Sequence, residues 1–516
     1  MVPPVPRLII ALLLGAASVL AYAPAGWFPL IWLTLGGLYI LLDGRASENG
    51  GSFKNAFAGG LLGASFGFGL FIAGVSWVYV SLSVFGGMPG AMAALATFLF
   101  CCVLSIFPAL AGALFFRFSP NGWWQRSLYF ACLWTLSEWL RGWILTGFPW
   151  LAAGYSQAPP SPLSGFAPVL GVYGLTLLTA LLATLIGEVF RRWISVEPRP
   201  GSRNTLTKPP RWRPAIQILI VVLLLAAGNA LRDVRWTSPK GESLSVALLQ
   251  GNVAQDMKWR PEKFSESLRI YYRLALENPA QLTVLPETAL PAFLGQVPGE
   301  YLDELKRLAE RQRGDMLLGI AIGDSTRYAN GAISLGQSEE QHYSKTHLVP
   351  FGEFVPPGFA WFLALANIPM SDFTPGAKLQ VPMSIAGQKV AVNICYEDAF
   401  GEEIIRALPE ATLLVNLSNV AWFGDSLAPA QHLQIAQLRA LETGRMMLRA
   451  TNTGMTAIVD AGGHVQSALK PFTRAALLGE VQGYEGATPY VRWGNWPVVS
   501  FALLLAAFFG RRNAVS

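Results

Sequence analysis

The chain contains eight apolar runs that are close to the length needed to cross a bilayer. About 30 Å of hydrocarbon requires roughly 20 helical residues, and few charged residues interrupt these runs. Apolar residues make up 52% of the 516 residues, and only 14% are charged. Transmembrane helices are therefore predicted near residues 8–24, 26–43, 57–82, 91–116, 126–141, 168–190, 214–231 and 495–510.

Basic residues in the loops between these runs predict the orientation of the chain. The loops 83–90 and 142–167 contain no Lys or Arg, whereas the loops that alternate with them carry Arg45 and Lys54, Arg117 and Arg126, and seven basic residues between 191 and 213. Positively charged loops stay in the cytoplasm, so both termini are predicted to be cytoplasmic and residues 232–494 to face outward. The first run also resembles a signal peptide ending at Ala21-Tyr22-Ala23, and the outward placement holds whether or not it is cleaved.

Three parts follow from this division: a membrane domain at 1–231, an outward domain at 232–494, and a final transmembrane helix with a cytoplasmic tail at 495–516. Strands and helices alternate in the outward part, which predicts one α/β domain. Its predicted helices are Pro261–Glu277, Tyr301–Arg313 and Ala430–Ala450. The net charge of +6 does not indicate nucleic-acid binding, because the basic residues form no stripe interleaved with stacking aromatics. Strands are predicted at 243–250, 283–285, 316–322, 331–335, 389–394, 412–417 and 456–460.

Cys395 is the only thiol of the outward domain and stands at the end of an apolar, β-branched run. The other cysteines, Cys101, Cys102 and Cys132, lie in the apolar runs, so no disulfide framework is expected in the domain. A thiol placed where a strand ends is well positioned to act as a nucleophile. The alternatives are an inert buried cysteine and a Cys–His pair. The four histidines show no spacing typical of metal ligands.

Three sequence blocks carry a resemblance to a known family. They read LPET at 285–288, SKTHLVPFGE at 344–353 and NICYE at 393–397. In these blocks the chain resembles the carbon–nitrogen hydrolase, or nitrilase, superfamily. The blocks VNLSN at 415–419 and AWFG at 421–424, together with the eight apolar runs, narrow the resemblance to the branch called apolipoprotein N-acyltransferase.

The resemblance implies a polytopic membrane enzyme of about eight transmembrane helices that carries a nitrilase-like α-β-β-α sandwich with a Glu287–Lys345–Cys395 triad. Cys395 would attack an ester, Glu287 would take up the thiol proton, and Lys345 would stabilise the thiolate and the oxyanion. The backbone N–H of Tyr396 would be a second oxyanion donor. The reaction requires no cofactor and no metal.

The implied reaction is a two-step acyl transfer. The sn-1 acyl chain of a phospholipid, by resemblance phosphatidylethanolamine, passes to Cys395 as a thioester. It then passes to the α-amine of the N-terminal diacylglyceryl-cysteine of a lipoprotein. The resemblance also implies a location in the bacterial inner membrane, with the catalytic domain facing the periplasm. A monomer is expected, because nothing in the sequence demands more than one copy.

Five further residues are predicted to belong to the site. Glu353 and Glu397 would support Lys345 and the base, and Trp259 and Trp422 would lie in loops that frame the acyl cleft. Trp150, in the aromatic loop 142–167, is predicted to line the same cleft.

Two rival classes of protein remain at this point. In a membrane-tethered amidase or nitrilase, water would replace the amine acceptor, and the triad alone does not separate these activities. A transporter with an inactive outer domain is the second rival. It is disfavoured because the apolar runs carry almost no ionisable residues at their centres, where a polar permeation path generally requires them.

Overall fold

The structure is a computed structural model that describes residues 3–46, 53–194, 212–254, 261–324, 326–356, 358 and 372–514. The chain packs into two compact units. The first unit contains Met1–Ser76, Thr97–Val234 and Asn495–Ser516, and the second contains Trp77–Ala96 and Arg235–Gly494. The second unit therefore includes a short segment from the N-terminal half, which the sequence did not predict.

The first unit is helical. Among the described residues, four helices are long and apolar enough to cross a membrane: Ala56–Gly74, Gly90–Phe118, Pro162–Arg191 and Trp212–Leu231. Shorter apolar helices lie at Val5–Ala21, Pro29–Asp43 and Trp496–Arg511. The predicted count of eight spans is thus not confirmed. The helices of the N-terminal half and the C-terminus run Val5–Ser18, Pro29–Ala46, Phe53–Gly74, Gly90–Phe118, Trp123–Arg141, Ala167–Ile194, Trp212–Leu231 and Trp496–Ala514.

Two of the predicted spans differ from the observed helices. The span predicted at 57–82 ends early, because its helix stops at Gly74. A short helical turn, Val78–Val80, and a π-helix, Ser81–Phe85, follow it within the second unit. The span predicted at 126–141 lies in the helix Trp123–Arg141, which carries Arg126, Glu138 and Arg141 and is not among the candidate membrane helices.

The second unit contains two β-sheets. The strands are β1 Thr237–Gln250, β2 Leu282–Val284, β3 Leu290–Phe293, β4 Asp315–Gly323, β5 Tyr328–Gly336, β6 His342–Ser344, β7 Met383–Ile385, β8 Gln388–Ile394, β9 Leu413–Ser418, β10 Met447–Thr451, β11 Ala457–Val459, β12 Val465–Ala468 and β13 Ala475–Gly486. The first sheet has the strand order β13-β1-β2-β4-β5-β6, with β3 paired to β4, and the second has the order β12-β11-β10-β9-β8-β7.

An apolar core joins the two sheets, and helices cover their other faces. Leu248 of β1 and Val415 of β9 belong to the same buried cluster, which contains residues from both sheets. The alternate residue of β1, Leu249, belongs to a second cluster on the opposite face, with side chains of the helices Pro261–Glu277 and Gly299–Arg311. This period of two is what a strand buried on both faces requires. The predicted α-β-β-α sandwich is confirmed.

The helix predicted at Ala430–Ala450 is wrong at its C-terminal end. It runs Ala428–Thr443 and stops at Gly444, which adopts the left-handed conformation with φ +63°. Glycine is favoured there because a Cβ is sterically disfavoured in that conformation. The chain then forms β10, which pairs in parallel with β9. The sequence patterns did not predict β10, and they also missed β3, β6, β7, β12 and β13.

Parallel strands bring the candidate catalytic residues together. In the first sheet β1, β2 and β4 are parallel, and in the second β8, β9 and β10 are parallel. Glu287 follows β2, Cys395 follows β8 and Asn419 follows β9. The carboxyl ends of parallel strands are where α/β folds place their sites.

Candidate active site

Cys395 begins a five-residue 3-10 helix directly after β8 and has a backbone φ of +52°. A non-glycine residue in the left-handed region costs about 1–3 kcal/mol and persists only where its surroundings hold it. Two donors hold its carbonyl oxygen: Asn416 Nδ2 at 3.1 Å and His432 Nε2 at 3.2 Å. The left-handed backbone conformation and the two hydrogen bonds to the carbonyl oxygen therefore fix the direction in which the partly exposed Cys395 side chain points.

Lys345 lies in the loop after β6 and is almost completely buried, with 1% of its surface exposed. Its Nζ is 2.8 Å from Glu353 Oε1 and 3.6 Å from Glu287 Oε1. Burial by itself would lower the pKa of Lys345, but the charges of Glu353 and Glu287 raise it above its usual value. Lys345 is therefore a permanent cation at neutral pH.

Glu287 is buried, and each of its carboxylate oxygens accepts a hydrogen bond. Asn330 Nδ2 donates to Oε1 at 2.7 Å, and the backbone N–H of Asn419 donates to Oε2 at 2.8 Å. Asn330 Nδ2 also donates to Glu353 Oε1 at 2.7 Å. One amide group thus joins the two carboxylates that flank Lys345, and the sequence patterns did not single it out.

The Cys395 thiol is close enough to the two other candidate residues for their charges to act on it. Burial raises the pKa of the Cys395 thiol to about 12, and the Glu287 carboxylate raises it as well, while Lys345 and Arg449 lower it. The thiol is therefore protonated at neutral pH in the free protein. Because a neutral thiol is a poor nucleophile, attack requires transfer of its proton to a neighbouring base.

Glu397 ties the Lys345 loop to the start of the Cys395 helix. Its Oε1 accepts from the backbone N–H groups of Thr346, at 2.6 Å, and His347, at 3.1 Å. Its Oε2 accepts from the N–H of Ile394 at 2.7 Å and from the Tyr343 hydroxyl at 2.9 Å. Glu397 thus joins the backbone after Lys345 to the residue before Cys395, and its supporting role in catalysis stays a prediction.

Burial raises the pKa of Glu397 to about 7, although Lys345 and the backbone donors act in the opposite direction. The usual value is about 4.3, so the carboxyl contributes stability that is fully present below about pH 4 and lost as pH rises through about 7. For Glu397→Gln, which cannot ionise, we expect the melting temperature relative to the wild type to rise between pH 5 and 8. Thermal unfolding in detergent across this range measures the difference.

Glu310→Gln is the matched control, because Glu310 is exposed on the helix Gly299–Arg311. Its melting temperature should differ from that of the wild type by the same small amount at every pH. A difference for Glu397→Gln that is equally independent of pH would contradict the raised pKa.

A buried ionic network lies behind Cys395. Asp398 accepts from His432 Nε2 at 2.7 Å and from Arg449 Nη1 at 3.0 Å, and all three side chains are buried. Burial lowers the pKa of His432, and the Arg449 charge lowers it further, while Asp398 acts against them. His432 is therefore neutral at physiological pH and contacts the carbonyl oxygen of Cys395. The sequence suggested a histidine partner for Cys395 only as a Cys–His pair, and this network was not predicted.

The residues predicted to frame the acyl cleft or to stabilise the oxyanion lie in different parts of the chain. Trp422 is half-buried in the 3-10 helix Val420–Phe423 of the second unit. Trp150 is buried in the first unit, where its ring stacks on Phe148 at 6.2 Å. Trp259 lies outside the described residues. Tyr396 is buried in the first turn after Cys395. The roles of these four residues stay predictions.

Comparison with known proteins decides the family. Residues 14–185 match the family model described as the apolipoprotein N-acyltransferase N-terminal domain, and residues 245–490 match the carbon–nitrogen hydrolase model. An apolipoprotein N-acyltransferase of Nitrosomonas europaea is 48% identical over 99% of both chains. The chain belongs to the apolipoprotein N-acyltransferase family. Relatives of the same name from Chromobacterium violaceum and Ralstonia nicotianae are each 42% identical over 98% of this chain and 94% of the relative.

Family membership confirms the resemblance carried by the three sequence blocks. Like other apolipoprotein N-acyltransferases, the chain is an acyltransferase with a carbon–nitrogen hydrolase fold in its C-terminal half. Its apolar helices agree with a membrane protein. A membrane-tethered amidase is not favoured, because the N-terminal family domain accompanies the hydrolase-like domain along the chain.

Proposed function

We propose that the protein transfers the sn-1 acyl chain of a phospholipid, through a thioester on Cys395, to the α-amine of the N-terminal diacylglyceryl-cysteine of a lipoprotein. The observation that carries the proposal is the arrangement of Cys395, Glu287 and Lys345. A thiol at a strained strand end is accompanied by a buried carboxylate and a buried cation, in a chain that also bears candidate membrane helices.

In the first half of the reaction, Cys395 Sγ attacks the ester carbonyl carbon while its proton passes to Glu287. Lys345 stabilises the oxyanion of the tetrahedral intermediate, and the backbone N–H of Tyr396 is the second proposed donor. The carbon–oxygen bond to the glycerol then breaks, and Glu287 returns the proton to the leaving alkoxide. The products are an acyl thioester and a lysophospholipid.

In the second half, the amine of the acceptor attacks the thioester carbonyl carbon. Glu287 removes a proton from the attacking nitrogen, the carbon–sulfur bond breaks, and the Cys395 thiolate takes the proton back. Atoms and charges balance without a cofactor, because the ester supplies the activated acyl group and the amine supplies the electron pair. Glu353 and Glu397 support this cycle by holding Lys345 and its loop.

The location of the reaction is also a proposal. We infer a monomer that spans the bacterial inner membrane about eight times, with phosphatidylethanolamine as the acyl donor. Residues 232–494 form the periplasmic catalytic domain, between a membrane domain at 1–231 and a C-terminal transmembrane helix at 495–516. The loops without basic residues, 83–90 and 142–167, support this orientation.

The test is the intact mass of the detergent-purified protein after incubation with phosphatidylethanolamine. We expect a mass increase of one acyl chain that hydroxylamine removes, together with release of lysophospholipid. Addition of a diacylated lipopeptide with a free N-terminal amine should discharge the adduct and yield a triacylated amide. If no adduct and no lysophospholipid appear in folded protein, a phospholipid is not the donor. If water discharges the adduct equally fast without lipopeptide, the protein is a hydrolase.

A further inference from the structure

The segment Trp77–Ala96 belongs to the catalytic unit, although it lies far from that unit in the sequence. It begins after the candidate membrane helix Ala56–Gly74 and ends within the helix Gly90–Phe118. Between these helices it forms the turn Val78–Val80 and the π-helix Ser81–Phe85. π-Helices are rare and frequently mark functional sites, so the contacts of this segment bear on function.

The segment contacts the loop 419–423, which donates a hydrogen bond to Glu287. The Ser81 hydroxyl donates to the backbone carbonyl oxygen of Trp422 at 2.7 Å. The Trp77 ring packs edge-on against Phe423 with a centroid distance of 4.6 Å. This loop starts at Asn419, whose backbone N–H donates to Glu287 Oε2. A shift of the loop would therefore move the donor that orients the proposed base.

A second part of the segment packs against the turn that holds Glu353. Leu82, Met88 and Phe351 belong to one apolar cluster within the catalytic unit. Phe351 has a φ of +62° in the turn that leads to Glu353. Because Glu353 Oε1 is 2.8 Å from Lys345 Nζ, the packing of this turn affects the position of the cation.

A third contact leads to the nucleophile. Trp77 Nε1 donates to Gln431 Oε1 at 3.3 Å. Gln431 immediately precedes His432, whose Nε2 is 3.2 Å from the carbonyl oxygen of Cys395. The same segment is therefore connected, through intermediate contacts, to all three members of the proposed triad.

We propose that the segment Trp77–Ala96 positions the catalytic triad, with Ser81 and Trp77 as positioning residues. Some of the contacts that position the active site then come from the N-terminal half of the chain and not from residues 235–494. This inference rests on the proposed function for the kinetic part of its test, because kcat and KM are measured for acyl transfer. It differs from a role in lipid binding alone, because it requires that changes in the segment alter the reactivity of the Cys395 thiol.

Ser81→Ala in the full-length protein tests the proposal, with Ser83→Ala and Ser81→Thr as controls. Ser83 lies in the same π-helix and donates only locally, to the Tyr79 carbonyl oxygen at 2.8 Å. Loss of the Ser81 hydrogen bond should lower kcat about tenfold with KM unchanged. Ser83→Ala should retain the wild-type rate, and Ser81→Thr, which keeps the hydroxyl, should restore most of it. Trp77→Phe combined with Ser81→Ala should lower kcat further than Ser81→Ala alone, and the two effects should not simply add, because both residues contact the same loop.

The distinguishing readout is alkylation of Cys395 by iodoacetamide, followed by peptide mass spectrometry. We expect alkylation to slow in Ser81→Ala in proportion to kcat, because attack by the protonated thiol requires transfer of its proton to Glu287, and a displaced Glu287 accepts that proton less readily. The proposal is overturned if Ser81→Ala and Ser83→Ala behave alike. It is equally overturned if KM rises while alkylation is unchanged, which would assign the segment to lipid binding. If the wild type forms no thioester with phospholipid, the proposed function fails, whereas the alkylation series still decides the positioning role.

Discussion

Replacing Cys395 with alanine is expected to abolish acyl transfer and to leave the protein without a thioester. Removal of a catalytic nucleophile costs about 10⁵- to 10⁶-fold in turnover, and no other thiol lies in the catalytic unit. The fold should survive the substitution. Alanine adopts φ +52° with a strain similar to that of cysteine, and the hydrogen bonds from Asn416 and His432 to the backbone carbonyl oxygen remain.

The measurement is the intact-mass assay with phosphatidylethanolamine, run beside thermal unfolding of the same sample. Cys102→Ala is the matched control, because Cys102 is also a partly exposed thiol but lies in the apolar helix Gly90–Phe118. The control should acquire the acyl adduct at the wild-type rate. An adduct that persists in Cys395→Ala, or one that disappears in Cys102→Ala, would place the thioester on a different residue.

Replacing Lys345 with methionine is expected to damage both activity and stability. Methionine fills most of the space of the buried lysine stem but leaves Glu287 and Glu353 without their shared cation. Removing one partner of a buried ion pair costs about 3–5 kcal/mol of unfolding free energy. Loss of the group that stabilises the oxyanion should lower kcat by a further factor of about 10² to 10³.

Denaturant unfolding in detergent, followed by tryptophan fluorescence, measures the loss of stability. Lys240→Met is the matched control, because it removes an exposed ion pair in which Lys240 Nζ lies 3.0 Å from Glu485 Oε2. Exposed pairs contribute less than about 1 kcal/mol, so this variant should unfold almost like the wild type. Equal losses in the two variants would show that the buried cation does not hold the two carboxylates.

A double variant separates the charge effect from the packing effect. In Lys345→Met the two carboxylates remain joined through Asn330, and Glu353→Gln removes one of the two negative charges. The combined substitutions should therefore cost less than the sum of the single ones, by a coupling energy of about 1–3 kcal/mol. Additive losses would mean that Lys345 stabilises the domain through its packing alone.

The three candidate catalytic residues could be singled out in the sequence because each stands in a short local context. Glu287 follows the strand that ends at Val284, and Cys395 follows the strand that ends at Ile394. A β-branched run predicts a buried strand from local preferences alone, and chemistry-bearing residues at strand ends are typical of α/β sites. The helix Pro261–Glu277 was predicted with its observed bounds for the same reason, since its apolar residues repeat with a helical period.

The sequence-based assignments of helices and strands were wrong where contacts between distant residues override the local conformational preference. Residues 444–450 follow a helix and were predicted to continue it. Met447–Thr451 instead forms β10, because it pairs in parallel with β9 and because Leu448 is buried in the core between the sheets. The apolar run after Gly74 was predicted to continue the membrane helix, but the helix ends at Gly74. Trp77 and Ser81 instead form hydrogen bonds with Gln431 and with the Trp422 carbonyl oxygen of the catalytic unit. Short edge strands such as β6 and β7 carry too few residues for any period to be recognised.

The sequence alone determined the apolar helices, the α/β character of residues 232–494 and the identity of the candidate nucleophile, base and cation. Hydrophobic length, strand period and short motifs are local properties, and they are readable without coordinates. Only the tertiary structure decided how those groups interact. Glu287 meets the Asn419 N–H across 132 residues, and Asn330 bridges it to Glu353. Burial, which sets the pKa values of Cys395 and Glu397, depends on the packing of the whole unit, and no local pattern records it.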